Sequence, residues 1–169
     1  MKVAIGLRGS DAHTRLSTYL NDHLAGSTGA TEIVRRAIKS NRGSSYAPVL
    51  EQLMTEIEED RAALRDVMRR MDVTEDQLKH AAAWTMEKAG RLKLNGQLLG
   101  YSPLSRLIEL EALALGVTGK MSLWISLRTA FADDPRLEGV DLEELAKRAR
   151  DQRQQLERVR RKAAVEALT

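Results

Sequence analysis

The sequence predicts an all-α fold, a four-helix bundle, on three observations. The chain is rich in Ala, Leu, Arg and Glu, which lose little on entering a helix, and it has only two Trp, three Tyr, one Phe and three Pro. Apolar residues recur at spacings of three and four along four long segments. Residues that start and stop helices flank each segment. Such helices cannot bury their apolar stripes alone, so they must share one core.

The first long helix should begin after Ser10 or Asp11, either of which can accept hydrogen bonds from the first free amides. It should end near residues 41–43, where an Asn-Arg-Gly sequence favours a helix stop. We expect residues 1–10 to form a flexible N-terminus and residues 11–169 to form a single helical-bundle domain. The predicted stripe of this helix comprises Leu16, Leu20, His23, Ser27, Ala30, Val34 and Ala37.

The second long helix should open at Pro48, whose missing amide proton costs nothing in a first turn, and run to about Met71. Its predicted stripe comprises Leu50, Leu53, Ile57, Asp60, Leu64, Val67 and Met71. The third should be capped by Ser102, begin at Pro103 and run to about Phe131. Its predicted stripe comprises Leu104, Ile108, Glu111, Leu115, Thr118, Ser122 and Ile125.

The fourth long helix should follow a break at the Asp-Asp-Pro sequence of residues 133–135. Asp141 and Glu144 have the spacing of a capping box, which marks its start. Its predicted stripe comprises Leu142, Leu145, Ala149, Gln152, Leu156, Val159 and Ala163.

The links between the helices predict how the bundle is connected. The first and last links, of about seven and about nine residues, are short enough for antiparallel hairpins. The middle link of about 30 residues should contain a short helix from Thr74 to Gly90 that carries Trp84. That length can run back along a bundle ~40 Å tall, which predicts the helix order up, down, down, up. A five-helix array in simple alternation is the alternative.

Two segments are rich in small residues in mid-helix. Residues 25–31 read Ala-Gly-Ser-Thr-Gly-Ala-Thr, and Gly116, Thr118 and Gly119 interrupt the third helix. A mid-helix glycine costs about 1 kcal/mol relative to alanine, so something must offset it. We expect a continuous first helix in which these patches let two backbones approach closely. The alternatives are a break in the first helix or small residues that line a ligand cavity.

The first helix also carries a resemblance to a known family. Residues 19–29 read Tyr-Leu-Asn-Asp-His-Leu-Ala-Gly-Ser-Thr-Gly and are followed by Glu32, Arg35 and Arg36. This stretch resembles the first helix of uncharacterised bacterial ferritin-like bundle proteins, and the helix layout extends the likeness over most of the chain. The resemblance implies a di-iron or di-manganese centre, built from one Glu on each of two helices and a Glu-x-x-His on each of the others.

The chain departs from that metal-binding pattern. Its histidines are His13, His23 and His80, and none has a glutamate three residues before it. The redox activity of such a centre is therefore not carried over with the fold.

Four polar residues, His23, Asp60, Glu111 and Gln152, occupy stripe positions where an apolar side chain is expected. Imidazole and carboxylates from separate helices could together coordinate Zn, Mn or Fe. At 1.5 Å per residue, however, the four spread over more than roughly 12 Å along the bundle, which favours two polar pairs over one metal site. Asp60 and Glu111 would form one such pair, which requires a cation between them, a shared proton or an arginine from a neighbouring helix. Candidates for that arginine are Arg35, Arg36 and Arg61.

Composition narrows the function classes. The chain has no cysteine, which excludes disulfides and thiolate chemistry, and no long uninterrupted apolar run, so we expect a cytoplasmic protein that does not enter the membrane. Residues 142–169 carry 8 basic and 5 acidic side chains, so the net charge of +3 arises wholly in the last helix. Basic residues are densest at residues 158–162, which we interpret as a solvated helix face. Nucleic-acid binding is therefore the less favoured hypothesis.

No catalytic residue or cofactor site is predicted. We expect a non-enzymatic helical bundle that acts through a protein partner or through self-association, as a homodimer, since long helices readily extend a bundle across a two-fold axis. The alternatives are a ferritin-like metalloprotein with a degenerate carboxylate and histidine site, and a nucleic-acid binder that uses the last helix.

Overall fold

The computed structural model describes residues 5–76 and 100–169, and over these residues it is all-α, with no strand. It contains four long helices and one turn of 3-10 helix: α1 (Ile5–Ser40), α2 (Ala47–Arg70), α3 (Pro103–Ala130), the 3-10 turn (Pro135–Leu137) and α4 (Leu142–Leu168). The predicted all-α class with four long helices is confirmed over these residues. The predicted short helix from Thr74, together with Trp84 and His80, falls largely on residues 77–99, which lie outside the described part of the chain.

Three of the predicted helix starts are confirmed, and two of them have side-chain caps. Pro48 stands in the first turn of α2. The Ser102 hydroxyl accepts from the Ser105 amide, and the Ser105 hydroxyl accepts from the Ser102 amide, which fixes the start of α3. The Asp141 carboxylate accepts from the Glu144 amide at 2.8 Å and caps α4.

The start of α1 differs from the expectation. Ser10 and Asp11 stand inside α1, which begins earlier at Ile5. Before Ser10 the segment contains Gly6 and Gly9, which weaken a helix by about 1 kcal/mol each but do not end it. The helix also continues without interruption through Gly26 and Gly29, so the predicted continuity is confirmed and a break is excluded.

The helices pack around one core. α1 contacts α2 and α3, while α4 contacts α3 extensively and α2 over a smaller area. Every member of the predicted α2 stripe is buried, and the α4 stripe is buried or partly buried along its length. The largest fully buried side chains include Leu20, Leu24, Leu50, Met68, Leu110, Leu113, Leu123, Trp124, Leu127 and Leu156.

Hydrogen bonds near the helix ends show which ends are neighbours. Asn41, just after α1, accepts at Oδ1 from Arg106 Nε near the start of α3 at 2.6 Å. Lys162 near the end of α4 donates to the hydroxyl of Ser45, just before α2. Arg70, the last residue of α2, donates to backbone carbonyls in the turn that precedes α4. The end of α1 therefore lies beside the start of α3, and each end of α2 lies beside the opposite end of α4.

The predicted stripe of α3 is wrong. Leu115 is 74% exposed and Leu104 is 42% exposed, and Glu111 and Ser122 also face solvent. The buried face carries Leu107, Glu109, Leu110, Leu113, Val117, Leu123, Trp124 and Leu127. Because α3 has apolar residues on nearly every side, the three-and-four spacing fits more than one register and does not decide which face is buried.

Among the described helices, only α3 is long and apolar enough to cross a membrane by length and composition. Core helices of water-soluble bundles meet the same criterion, and nine α3 side chains are buried against the other helices.

Candidate functional site

A cavity of about 440 Å³ lies between α1, α2 and α3. This volume falls within the range of pockets that hold small molecules. Most of its surface is apolar, contributed by Ile57, Leu64, Leu113, Val117, Leu123 and Trp124. The polar side chains of His23, Asp60, Arg61 and Lys120 also reach its wall. The cavity therefore combines an apolar body with a few polar groups.

Small residues make room for this cavity. Gly26 of α1 and Gly116 and Gly119 of α3 belong to its lining, and a β-carbon placed on any of the three would meet no atom within 4 Å. The predicted close approach of two backbones at these glycines is therefore wrong, because close packing would bring neighbouring atoms into contact. The alternative interpretation, small residues that line a cavity, describes the structure.

Asp60 of α2 is the centre of a buried polar cluster beside the cavity. Arg148 of α4 donates from Nε to Asp60 Oδ1 at 3.0 Å, and Gln152 of α4 donates from Nε2 to Asp60 Oδ2 at 3.2 Å. Lys120 of α3 donates to both the Asp60 carboxylate and the Gln152 carbonyl oxygen. The cluster thus joins three helices through one carboxylate. Its hydrogen bonds and ion pairs offset the free-energy cost of burying that carboxylate.

Lys120 has an unusual environment for a lysine. Its side chain is only 15% exposed and lies between the cavity and Asp60. Burial lowers the pKa of Lys120 below its ordinary value, and the neighbouring Asp60 carboxylate only partly opposes this effect. A larger fraction of its amine is therefore neutral at a given pH than for a solvated lysine.

His23 of α1 is half-buried on the cavity wall. Its ring meets the Tyr19 ring edge to face, with centroids 4.7 Å apart and planes at 77°. Partial burial lowers the pKa of His23, and the nearby Asp22 carboxylate opposes this shift. The neutral imidazole is consequently the favoured form in the folded chain.

Two lining side chains have buried nitrogen atoms without hydrogen-bond partners. These atoms are Trp124 Nε1 and Arg61 Nε, and neither has an acceptor among the described residues. Leaving a buried donor unsatisfied costs roughly 1 to 3 kcal/mol. Polar atoms of these two lining residues therefore have fewer hydrogen-bond partners than those of the Asp60 cluster.

The four predicted polar stripe residues separate into two groups. Asp60 and Gln152 are hydrogen-bonded, and His23 lines the same cavity as Asp60. Glu111 stands apart on an exposed surface, where Arg160 Nη1 lies 3.5 Å from Glu111 Oε1. The predicted meeting of Asp60 and Glu111 is wrong, because α3 turns Glu111 away from the core.

The three candidate bridging arginines bind other carboxylates. Arg35 pairs with Glu32, Arg36 with Glu109 and Arg61 with Glu58. Within residues 5–76 and 100–169, no three His, Asp or Glu side chains converge in a way that could hold a metal ion.

A second buried polar cluster surrounds Glu109, which lies outside the predicted stripe of α3. Glu109 accepts a hydrogen bond from Tyr101 at 2.9 Å and pairs with Arg36. Asn41 donates from Nδ2 to the Tyr101 oxygen at 2.8 Å, and burial, the largest effect, raises the pKa of Tyr101 to about 12. Glu109 lies in the core because α3 is buried in a different register from the predicted one. A correct prediction of that register would have placed Glu109, rather than Glu111, in the core.

Several basic residues at the end of α4 are paired. Arg160 and Arg161 bind Glu157 and lower its pKa to about 2. Lys162 lies 3.9 Å from Glu166 and contacts Ser45. These pairs reduce the positive charge that this surface offers to a polyanion.

No protein-family model, no curated protein and no solved structure matches the chain. These comparisons therefore do not support the resemblance of α1 to ferritin-like proteins. The structure supports a helical bundle with four described long helices.

Proposed function

We propose that this chain is a non-enzymatic helical-bundle protein that acts by binding, and that its central cavity holds a small, mainly apolar molecule. The cavity of about 440 Å³ carries this proposal, because it is larger than the ~150 Å³ that accepts benzene in a protein core. An apolar wall with a few polar groups is the usual composition of a small-molecule site.

The glycines support this function energetically. Alanine at Gly26, Gly116 or Gly119 would contact nothing within 4 Å and would favour each helix by about 1 kcal/mol. Glycine therefore lowers stability at these positions without relieving a steric conflict. Space for a ligand accounts for this pattern.

Binding of N-phenyl-1-naphthylamine, a neutral apolar fluorophore, tests the proposal. We expect saturable binding with a blue shift in emission, and an affinity at least ~10-fold weaker in Gly119→Leu, whose side chain would enter the cavity. Gly29→Leu is the matched control, because Gly29 has equal free space but does not line the cavity. Absence of saturable binding, or an equal loss in the control, would refute the proposal.

We further propose that the helices run in the up, down, down, up order of ferritin-like folds. The neighbouring ends of α1 and α3, and the opposed ends of α2 and α4, support this order. The alternative of a ferritin-like protein with a degenerate Fe, Mn or Zn site is weakened by the separation of Glu111 from Asp60.

Self-association through α3 is a second candidate function. Leu104 and Leu115 are exposed, and their spacing of eleven residues places them on one face of the helix. Sedimentation velocity should give a homodimer that Leu115→Glu converts to a monomer. Val165→Glu is a control on another exposed apolar residue. A wild-type monomer at micromolar concentration would refute this function.

Location and nucleic-acid binding remain proposals from the sequence alone. We place the protein in the cytoplasm and rank nucleic-acid binding through α4 last, since Arg160, Arg161 and Lys162 are engaged by acidic or hydroxyl groups. A DNA-binding assay at low salt decides the second point, because contacts to several phosphates would weaken steeply as salt rises.

A further inference from the structure

The position of Lys120 suggests more than a structural ion pair. It is the only lysine among the described lining residues of the cavity, and its Nζ also contacts Asp60 and Gln152. Most lysines extend into water, where their amines are charged and unreactive. Lys120 instead forms part of the wall of an apolar cavity, and Asp60 and Gln152 hold its amine beside that wall.

The charges around Lys120 allow its amine to be neutral. Arg148 binds the buried Asp60 through Nε and Nη2 and the exposed Glu59 through Nη1, while Glu56 opposes the lowering of the Lys120 pKa. Because water screens the Glu59 charge, the Arg148 guanidinium balances mainly the buried Asp60 charge. The second cation, Lys120, is therefore not needed for neutrality of the buried pair. Loss of its proton would leave Asp60 with Arg148 and Gln152 as partners.

We propose that Lys120 is a covalent attachment site, whose side-chain amine forms a reversible imine with an aldehyde whose apolar body fills the central cavity. This inference rests on the proposed ligand-binding function and names its ligand class. Burial of the amine and the low dielectric of the wall favour the neutral, nucleophilic form, as in other lysines that form Schiff bases.

The chemistry balances without an oxidant or reductant. The Lys120 Nζ lone pair attacks the aldehyde carbon, the carbon–nitrogen bond forms, and a proton moves from nitrogen to the former carbonyl oxygen. The carbon–oxygen bond then breaks, and the hydroxyl leaves as water with the second nitrogen proton. The resulting imine takes up a proton from solvent to become an iminium. Asp60, already in contact with Nζ, is placed to stabilise the iminium charge.

The cavity sets the size of the ligand. Its volume is about three times the ~150 Å³ that holds one benzene ring, which corresponds to roughly 18 heavy atoms. The apolar wall favours an alkyl or aromatic aldehyde over a sugar, whose hydroxyl groups would lose their hydration without partners. Octanal is a suitable probe because it is smaller than this limit and has a flexible apolar chain.

Reductive trapping tests the proposal. The whole protein is incubated with octanal and sodium cyanoborohydride at neutral pH, and intact mass and peptide mapping locate the product. We expect one main adduct, of the aldehyde mass less one oxygen atom, at Lys120, formed at least ~10-fold faster than at the exposed Lys147. Lys120→Arg should lose this adduct, whereas Lys147→Arg should keep it. Uniform labelling of all lysines, or no adduct at Lys120, overturns the inference.

Octanol separates this inference from the function on which it rests. It matches octanal in shape but cannot form an imine, so it should displace N-phenyl-1-naphthylamine and slow the trapping of octanal. If the fluorophore binds and octanol displaces it but Lys120 is not trapped, the covalent inference fails and the binding function stands. If Lys120 is trapped and octanol gives no protection, attachment occurs without the cavity and the inference also fails. Gly119→Leu, which keeps Lys120, should slow trapping even if Lys120→Arg does not fold.

Discussion

Gln152 of α4 donates a hydrogen bond from Nε2 to Oδ2 of Asp60 on α2 at 3.2 Å, so two polar residues that break the apolar stripes of their helices satisfy each other. The bond connects α2 and α4, which contact each other over a smaller area than the other neighbouring long helices do. Lys120 and Arg148 complete the cluster from α3 and α4. The cluster therefore fixes the register of α2 against α4, where apolar packing contributes less.

Asp60→Asn should destabilise the chain by about 3 kcal/mol, because it leaves the buried Lys120 without its carboxylate and Arg148 with only the exposed Glu59. Urea unfolding followed by circular dichroism measures this change. Glu59→Gln is the matched control, since Glu59 is 56% exposed and binds the same Arg148. We expect the control to lose less than about 1 kcal/mol. Equal losses would mean that burial of Asp60 is not what makes it important.

Gly119→Ala should raise the free energy of unfolding by about 1 kcal/mol, because alanine favours the helix and its β-carbon meets no neighbour. Guanidinium unfolding provides the measurement. Gly139→Ala should have the opposite sign, because Gly139 has a φ of +80° that side-chain-bearing residues rarely adopt. A destabilised Gly119→Ala would show that the glycine is needed for packing rather than for space.

His23 should make the stability depend on pH near neutrality. Burial lowers its pKa in the folded chain, so the unfolded chain takes up the proton first as the pH falls. Stability should therefore be full above about pH 6.5 and decrease as the pH falls through the lower folded pKa. His23→Gln should flatten this slope between about pH 7 and about pH 5, whereas His13→Gln, at an exposed position, should not. An unchanged slope in His23→Gln would contradict the prediction.

Glu109 and Glu111 should respond differently to the same substitution. Glu109→Gln should cost about 2 kcal/mol, because Arg36 and Tyr101 would both lose the buried carboxylate that binds them. Glu111→Gln should change stability by less than about 0.5 kcal/mol at its exposed position. Thermal unfolding of the two variants would compare them directly. The reverse order would mean that α3 is buried in the register that the sequence alone favours.

The sequence predicts where α2, α3 and α4 begin, because the residue at each start favours the backbone geometry of a helix N-terminus. Pro48, Ser102 and Asp141 act within a single turn, so their effect is readable without knowing the tertiary fold. The buried face of α2 is also predictable, since its apolar residues are confined to one stripe by acidic and basic neighbours. Both predictions depend only on local chemistry.

The candidate site is harder to predict because its residues depend on which faces meet. Lys120 lies off the predicted stripe of α3 and reaches Asp60 with a long side chain, which spacing rules do not anticipate. Arg148 likewise stands beside the α4 stripe rather than in it. The mid-helix glycines gave the one readable signal of the cavity, but their spacing alone does not distinguish open space from close packing.

The space beside these glycines has a thermodynamic consequence. The pocket of about 440 Å³ is partly open to solvent and its wall is largely apolar, so water inside it has few hydrogen-bond partners. A guest molecule that replaces this water would remove apolar surface from the solvent, so binding should lower the heat capacity of the system. Calorimetric titration at several temperatures would then report occupancy without a label or a chromophore.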